Sequence, residues 1–151
     1  MTQHRIRKRL LRAGTFVVVG LATLAIAGAA NSRPGASSAK PVVFKLKEKH
    51  HSQISGTATL TSLGKRVRVV LRLQGGSLDN LPAHIHTGPC RREPTFANPR
   101  IWSGLRNVVR GKSTTTIRST TLKSLRARSY SINVHHPASL EVVACGDIPR
   151  G

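Results

Sequence analysis

The chain of 151 residues carries 25 Lys and Arg against five Asp and Glu, a formal net charge of +20 at pH 7 and a pI near 12.0. Such a charge attracts polyanions, anionic envelope surfaces and small anions alike, and it says nothing of the fold. Aromatic residues make up only 3% of the chain, which argues against a single-strand nucleic-acid binder, where aromatics interleave with cations to stack bases; no helix-turn-helix, zinc-finger or RNA-recognition pattern is present, so no specific nucleic-acid partner is expected.

In chain order, the opening MTQHRIRKRLLRAG holds five Lys/Arg and no acid, and TFVVVGLATLAIAGAA follows as sixteen uncharged residues. With Ala27-Gly28-Ala29 as a small-residue cleavage pattern, residues 1–30 read as a secretory signal peptide. The apolar run is shorter than the ~20 residues a spanning helix needs, so no transmembrane span is expected after cleavage. No cysteine follows it to carry a lipid, and no adjacent Arg pair suggests twin-arginine export. The expected location is therefore secreted, periplasmic or cell-envelope associated. Residues 31–40, rich in Ser, Ala, Pro and Gly, read as a flexible lead-in. Residues 41–151 read as one β-domain, long enough for its own core. Beyond residue 30 the chain keeps 20 Lys/Arg and all five acids, a formal charge of about +15.

From residue 41 the apolar period is two. PVVFKLKEK sets Val42, Phe44 and Leu46 on one face, and SGTATLTSLG sets Ala58 and Leu60 against Thr57, Thr59 and Thr61. KRVRVVLRLQGG sends Val67, Val69, Leu71 and Leu73 inward and Arg66, Arg68 and Arg72 outward. Glycines near 56, 64 and 75 mark the expected turns. Further strands are expected over 82–87, 112–119, 129–136 and 139–145, and no segment has a helical stripe. This pattern predicts an all-β antiparallel sandwich or flattened barrel with one wet face.

The distinctive segment is LPAHIHTGPC, residues 81–90. Side chains at i and i+2 share a face of a strand. Burying Ile85 therefore sends His84 and His86 outward, roughly 7 Å apart along the strand. In YSINVHH, burying Ile132 and Val134 sends Ser131, Asn133 and His135 outward. If these two segments are neighbours, three imidazoles converge on the solvent side as a candidate metal site. A lone exposed His pair would need no functional explanation; the third histidine with the same facing strengthens the case. His50, His51 and His136 are candidate fourth ligands, each read first as a solvated turn or strand-end residue. The two cysteines, Cys90 and Cys145, flank both segments. In an exported chain with only two, a single disulfide is the expectation. Closing so long a loop is worth about 4 kcal/mol, and the bond would pin the chain after His86 to the last strand.

Taken together, SGTATLTSLGKRVRVVLRLQGG, LPAHIHTGPC, SINVHH and the terminal VVACGDI resemble, in that order, the Cu/Zn superoxide dismutase-like superfamily, and more closely the small secreted bacterial CHRD (chordin-type) domain proteins. The likeness spans about residues 41–148. It implies a Greek-key sandwich or flattened barrel, copper on His84, His86 and His135, and a bridge between Cys90 and Cys145. The departures are specific. Residues 91–134 contain no His and no Asp, and their one acid is Glu93, so the bridging histidine and zinc ligands of the dismutase pattern are missing. Val142 stands three residues before the last cysteine, where the family has an anion-guiding arginine. The resemblance thus implies copper as the cofactor and no zinc, with superoxide or another small anion as partner. The alternative expectation is a non-catalytic extracellular module whose basic surface binds anionic cell-envelope polymers.

Overall fold

The computed structural model describes residues 39–90 and 100–151. The expected signal peptide and most of the lead-in lie outside the described residues. Eight strands follow in chain order: β1 (Val42–Glu48), β2 (Ser55–Ser62), β3 (Val67–Gln74), β4 (Leu81–Thr87), β5 (Ile101–Val108), β6 (Lys112–Ile117), β7 (Tyr130–His135) and β8 (Val142–Asp147), with one short helix, α1 (Leu122–Arg126), between β6 and β7.

All pairings are antiparallel, and the strands form one sheet in the order β5-β4-β7-β8-β1-β2-β3-β6. The two end strands meet. The Arg106 amide donates to Thr115 Oγ1 at 2.8 Å, and the Ser113 hydroxyl donates to the Arg106 carbonyl at 2.7 Å. Side chains thus bridge β5 and β6, which gives a nearly closed barrel and blunts two edges that would otherwise template pairing with another chain. The fold class is all-β, as the period of two predicts.

The core lies inside this barrel. Leu46, Ala58, Leu60, Val67, Val69, Leu71, Leu81, Ala83, Ile85, Ile132, Val134 and Ala144 are all buried there. Each Val, Leu or Ile removed from water contributes about 1.5–3 kcal/mol before the entropic cost of ordering. β3 shows the pattern at its clearest, with Val67, Val69, Leu71 and Leu73 inside and Arg68, Arg72 and Gln74 outside.

Four details depart from expectation, each for a local reason. Gly56 sits within β2 rather than in a turn: a Cβ there would lie 2.0 Å from the Arg72 carbonyl oxygen, so only glycine permits that approach of β2 to β3. The last strand runs Val142–Asp147, not 139–145, because His136–Glu141 closes a turn in which Leu140 N–H donates to the His136 carbonyl and His136 N–H to that of Glu141. β5 was not expected as a strand; IWSGLRNV lacks alternation, and only Val108 in it is fully buried. Finally, α1 has two apolar residues, Leu122 and Leu125, too few to show a stripe. They pack into the core one turn apart, and Thr121 caps the helix by accepting from Ser124 N–H at 3.0 Å.

Candidate metal centre

His84 and His86 stand two residues apart on β4, on the face opposite Ala83 and Ile85. Their partners across the ladder are Asn133 and Ser131 of β7. His135 ends the same strand. The structure brings the three rings into a near-equilateral triangle, with centroids 5.7 Å (His84 to His86), 5.2 Å (His84 to His135) and 5.6 Å (His86 to His135) apart. One nitrogen from each ring lies within 4.8 Å of the other two, and no other group of three His, Cys, Asp or Glu comes together in this way among the described residues.

Strand alternation alone does not produce this triangle. His86 faces Ser131, four residues from His135. Four residues of strand span about 13 Å, so the side chains must lean toward one another. The backbone assists at two points. The β4–β5 register shifts between Ile85 and His86, and the β7–β8 register shifts between Val134 and His135. Such irregularities re-aim side chains and recur beside functional sites.

The facing agrees with the sequence reading, but the exposure does not. The rings point away from the barrel core, yet His86 and His135 are only 1% and 4% exposed, and His84 is partly covered. A solvated outer face was expected; the site is instead desolvated. Period-two reasoning about a single strand gives the facing of a side chain, not what packs over it. Asn133 and Ser131, on the same face between them, are buried too.

Burial has an electrostatic consequence. The pKa of His84 lies below the usual histidine value, chiefly through desolvation and then through the proximity of His135 and His86. That of His135 is also lowered, again chiefly by desolvation; its hydrogen bond to Leu140 opposes the shift and His86 adds to it. Both rings are therefore neutral at pH 7, the state in which imidazole offers a lone pair. In His135, Nδ1 lies 2.8 Å from the Leu140 carbonyl, which can only accept, so the proton sits on Nδ1 and the lone pair on Nε2. That Nε2, and Nδ1 of His84, are buried without a hydrogen-bond partner among the described residues. A buried polar nitrogen left so costs about 1–3 kcal/mol, a cost that a bound cation would remove. Leu140 itself adopts φ +56°, in the left-handed region, with its side chain 61% exposed.

The disulfide between Cys90 and Cys145 is present, its Cα atoms 5.9 Å apart and 55 residues apart in sequence. Cys145 lies beside Asn133 in the ladder, which is itself opposite His84. Asp147 of β8 also accepts a hydrogen bond from the Cys90 amide. The chain leaving His86 is thus held to β8 twice, once covalently and once through Asp147. Sequence reasoning anticipated the bond but not the carboxylate.

The other histidines stay apart from the triangle. His136 is exposed beyond the end of β7, and its Nδ1 accepts from the Ala138 and Ser139 amides at 3.3 and 3.4 Å. His50 lies 3.5 Å from Glu141, and His50 and His51 occupy the β1–β2 turn at φ +50° and +53°. No fourth ligand joins the three among the described residues. Comparison of the chain with protein-family models, with curated proteins and with solved structures gives no match in any of the three.

Proposed function

We propose that this is a copper-binding domain of the Cu/Zn superoxide dismutase-like type, exported from the cell, holding one copper ion on His84, His86 and His135. The observation that carries the reading is the convergence of three imidazoles, His86 and His135 buried and His84 partly so, in which nitrogens of His84 and His135 lack a hydrogen-bond partner among the described residues. The donor set suits the ion: neutral imidazoles bind copper well, and copper exceeds zinc in affinity for a given nitrogen site. The Greek-key variant of the fold is part of the same proposal, supported by β8 lying beside β1 and β4 beside β7.

Copper held there would supply one-electron exchange with a small anion. The reaction class we assign is superoxide disproportionation, in which two superoxide anions and two protons give dioxygen and hydrogen peroxide. The chain's own contributions are positional and electrostatic. The Leu140 carbonyl fixes the tautomer and angle of the His135 ring, and the Cys90–Cys145 bond with Asp147 anchors the segment after His86. The large positive charge raises the local concentration of anions.

Titration of the metal-depleted protein with Cu(II), followed by electron paramagnetic resonance, tests the site. One copper per chain with coupling to three imidazole nitrogens is expected, with copper displacing zinc in competition. A chain that takes up no copper, or holds stoichiometric zinc alongside it, sinks the reading. A superoxide-consumption assay on the loaded protein then tests the reaction separately.

A further inference from the structure

We propose that the outer face of β1, β2, β3 and β6 is a docking surface for a linear phosphate polymer that carries no bases. This inference is independent of the metal site.

Regular register places the cations in rows. Lys45 lies opposite Thr57, Thr57 opposite Arg72, and Arg72 opposite Lys112, so one row crosses all four strands. At about 4.8 Å per strand, that row spans roughly 14 Å. Lys47 stands two residues from Lys45 on β1, and Arg68 four residues from Arg72 on β3, so the charge also extends along the strands. All five cations are exposed. None forms an ion pair among the described residues, where the single such contact is His50 with Glu141. The one acid bordering this surface, Glu48, accepts the Gln53 amide at 2.9 Å.

The arrangement works against folding. Like charges directly opposite each other on adjacent strands are destabilising, and Arg72 faces Lys112 with no carboxylate between them. Folding gains nothing from the pair, whereas an anion lying across the row would be held by both. The surface is also shaped. A depression of about 570 Å³ is lined by Lys45, Lys47, Glu48, Thr57, Arg72 and Gln74, among others, beside the close β2–β3 approach at Gly56; of its charged groups three are cations and one, Glu48, is a carboxylate that accepts from the Gln53 amide.

The chemistry of the face selects the occupant. Between the cations stand hydroxyls, Thr57, Thr59 and Thr61 on β2 with Thr114 and Thr116 on β6. Cationic donors interleaved with hydroxyl donors suit a ligand whose repeating groups only accept hydrogen bonds, and phosphate oxygens accept several donors at once. A strip of this length fits a polymer better than a single ion. The outward positions of these strands carry no aromatic residue. Nucleobases are held largely by stacking, so nothing here would grip them, and a base-free chain is the better fit.

The test measures binding of fluorescently labelled long-chain inorganic polyphosphate to the full chain by anisotropy over a salt series. The triple variant Lys45→Gln/Arg72→Gln/Lys112→Gln is compared with Lys123→Gln/Arg128→Gln/Arg150→Gln, which removes equal charge from exposed positions on α1 and the chain beyond it. The first should weaken binding at least tenfold and reduce the slope of log affinity against log salt by about two to three; the second should change affinity by less than threefold. Both should retain wild-type circular dichroism and copper stoichiometry, so failure here and failure of the metal site can be told apart. Equal losses in the two triples would overturn the proposal, since net charge alone would then explain binding. Single-stranded DNA of matched phosphate number binding more tightly than polyphosphate would overturn the base-free assignment, and polyglutamate binding as well as polyphosphate would overturn the choice of phosphate.

Discussion

Two outer regions of one sheet behave in opposite ways. On β1, β2, β3 and β6 the register is uninterrupted, and exposed cations on β1, β3 and β6 line up in one row with the partly exposed Thr57 of β2 between them. On β4 and β7 the outward side chains are polar as well, yet His86, Ser131, Asn133 and His135 are buried, and the register shifts beside two of the three histidines. A regular ladder holds neighbouring side chains parallel at fixed spacing, which makes a surface. A shifted ladder lets them converge, which makes a pocket. The same period of two thus yields a docking face where it is kept and a candidate metal centre where it is broken.

The largest expected effect comes from removing the clamp that holds the pocket together. A Cys90→Ala/Cys145→Ala variant should lose up to about 4 kcal/mol of stability in denaturant titration, and its copper affinity should fall with the loosened segment after His86. The native protein should show no alkylatable thiol by mass spectrometry. A double variant as stable as the wild type would mean that Asp147 and the β4–β7 ladder hold the segment without the bond.

Next in size is the contrast between adjacent histidines. His135→Ala should weaken copper binding at least a hundredfold, whereas His136→Ala should change it less than threefold, measured by competition with a chromophoric chelator. His135 belongs to the triangle, while His136 is turned to solvent, its Nδ1 bonded within its own turn. Neither change removes apolar core volume, so both variants should fold. Equal effects of the two would break the distinction between converging and parallel side chains on which the site rests.

Proton linkage separates the regions again. His84 and His135 bind a proton less readily in the folded chain than at the ordinary histidine value of 6.5. Between their lowered folded values and about 6.5 the unfolded chain carries more protons, so stability falls as pH drops through that window and is fully kept above it. The metal-free protein should therefore lose stability progressively below about pH 6.5 in thermal melts, and His135→Ala should lose less. A pH-independent midpoint between pH 7.5 and 5 would mean that the triangle is not desolvated in solution.

The smallest effect falls on the regular face. Arg72→Thr removes one member of the opposed cation pair and places a strong strand former on an exposed position. It should raise stability by about 0.2–1 kcal/mol while weakening polyphosphate binding. Stability unchanged or lowered would show that the guanidinium contributes to the sheet in a way that the opposed charges do not indicate.

Much of the molecule could be read from the chain alone. Alternation in VVFKLKE, SGTATLTS and VRVVLRLQ identified three strands and their inward faces, because a strand with one wet side must repeat every second residue. The disulfide followed from having two cysteines. The common facing of His84, His86 and His135 followed from the apolar residues between them. What alternation could not supply was any property that depends on two strands at once. Burial and convergence of the histidines both involve more than one strand, with register shifts beside His86 and His135 that no single strand encodes. β5 and α1 carry no pattern of their own because their partners supply it: IWSGLRNV is held between the β4 ladder and the side chains of β6, and Leu122 and Leu125 find the core only once the barrel has formed. Strand identity and facing are local consequences of side-chain chemistry, whereas aim, burial and proton affinity are set by what stands opposite, and that is decided only when the chain is folded.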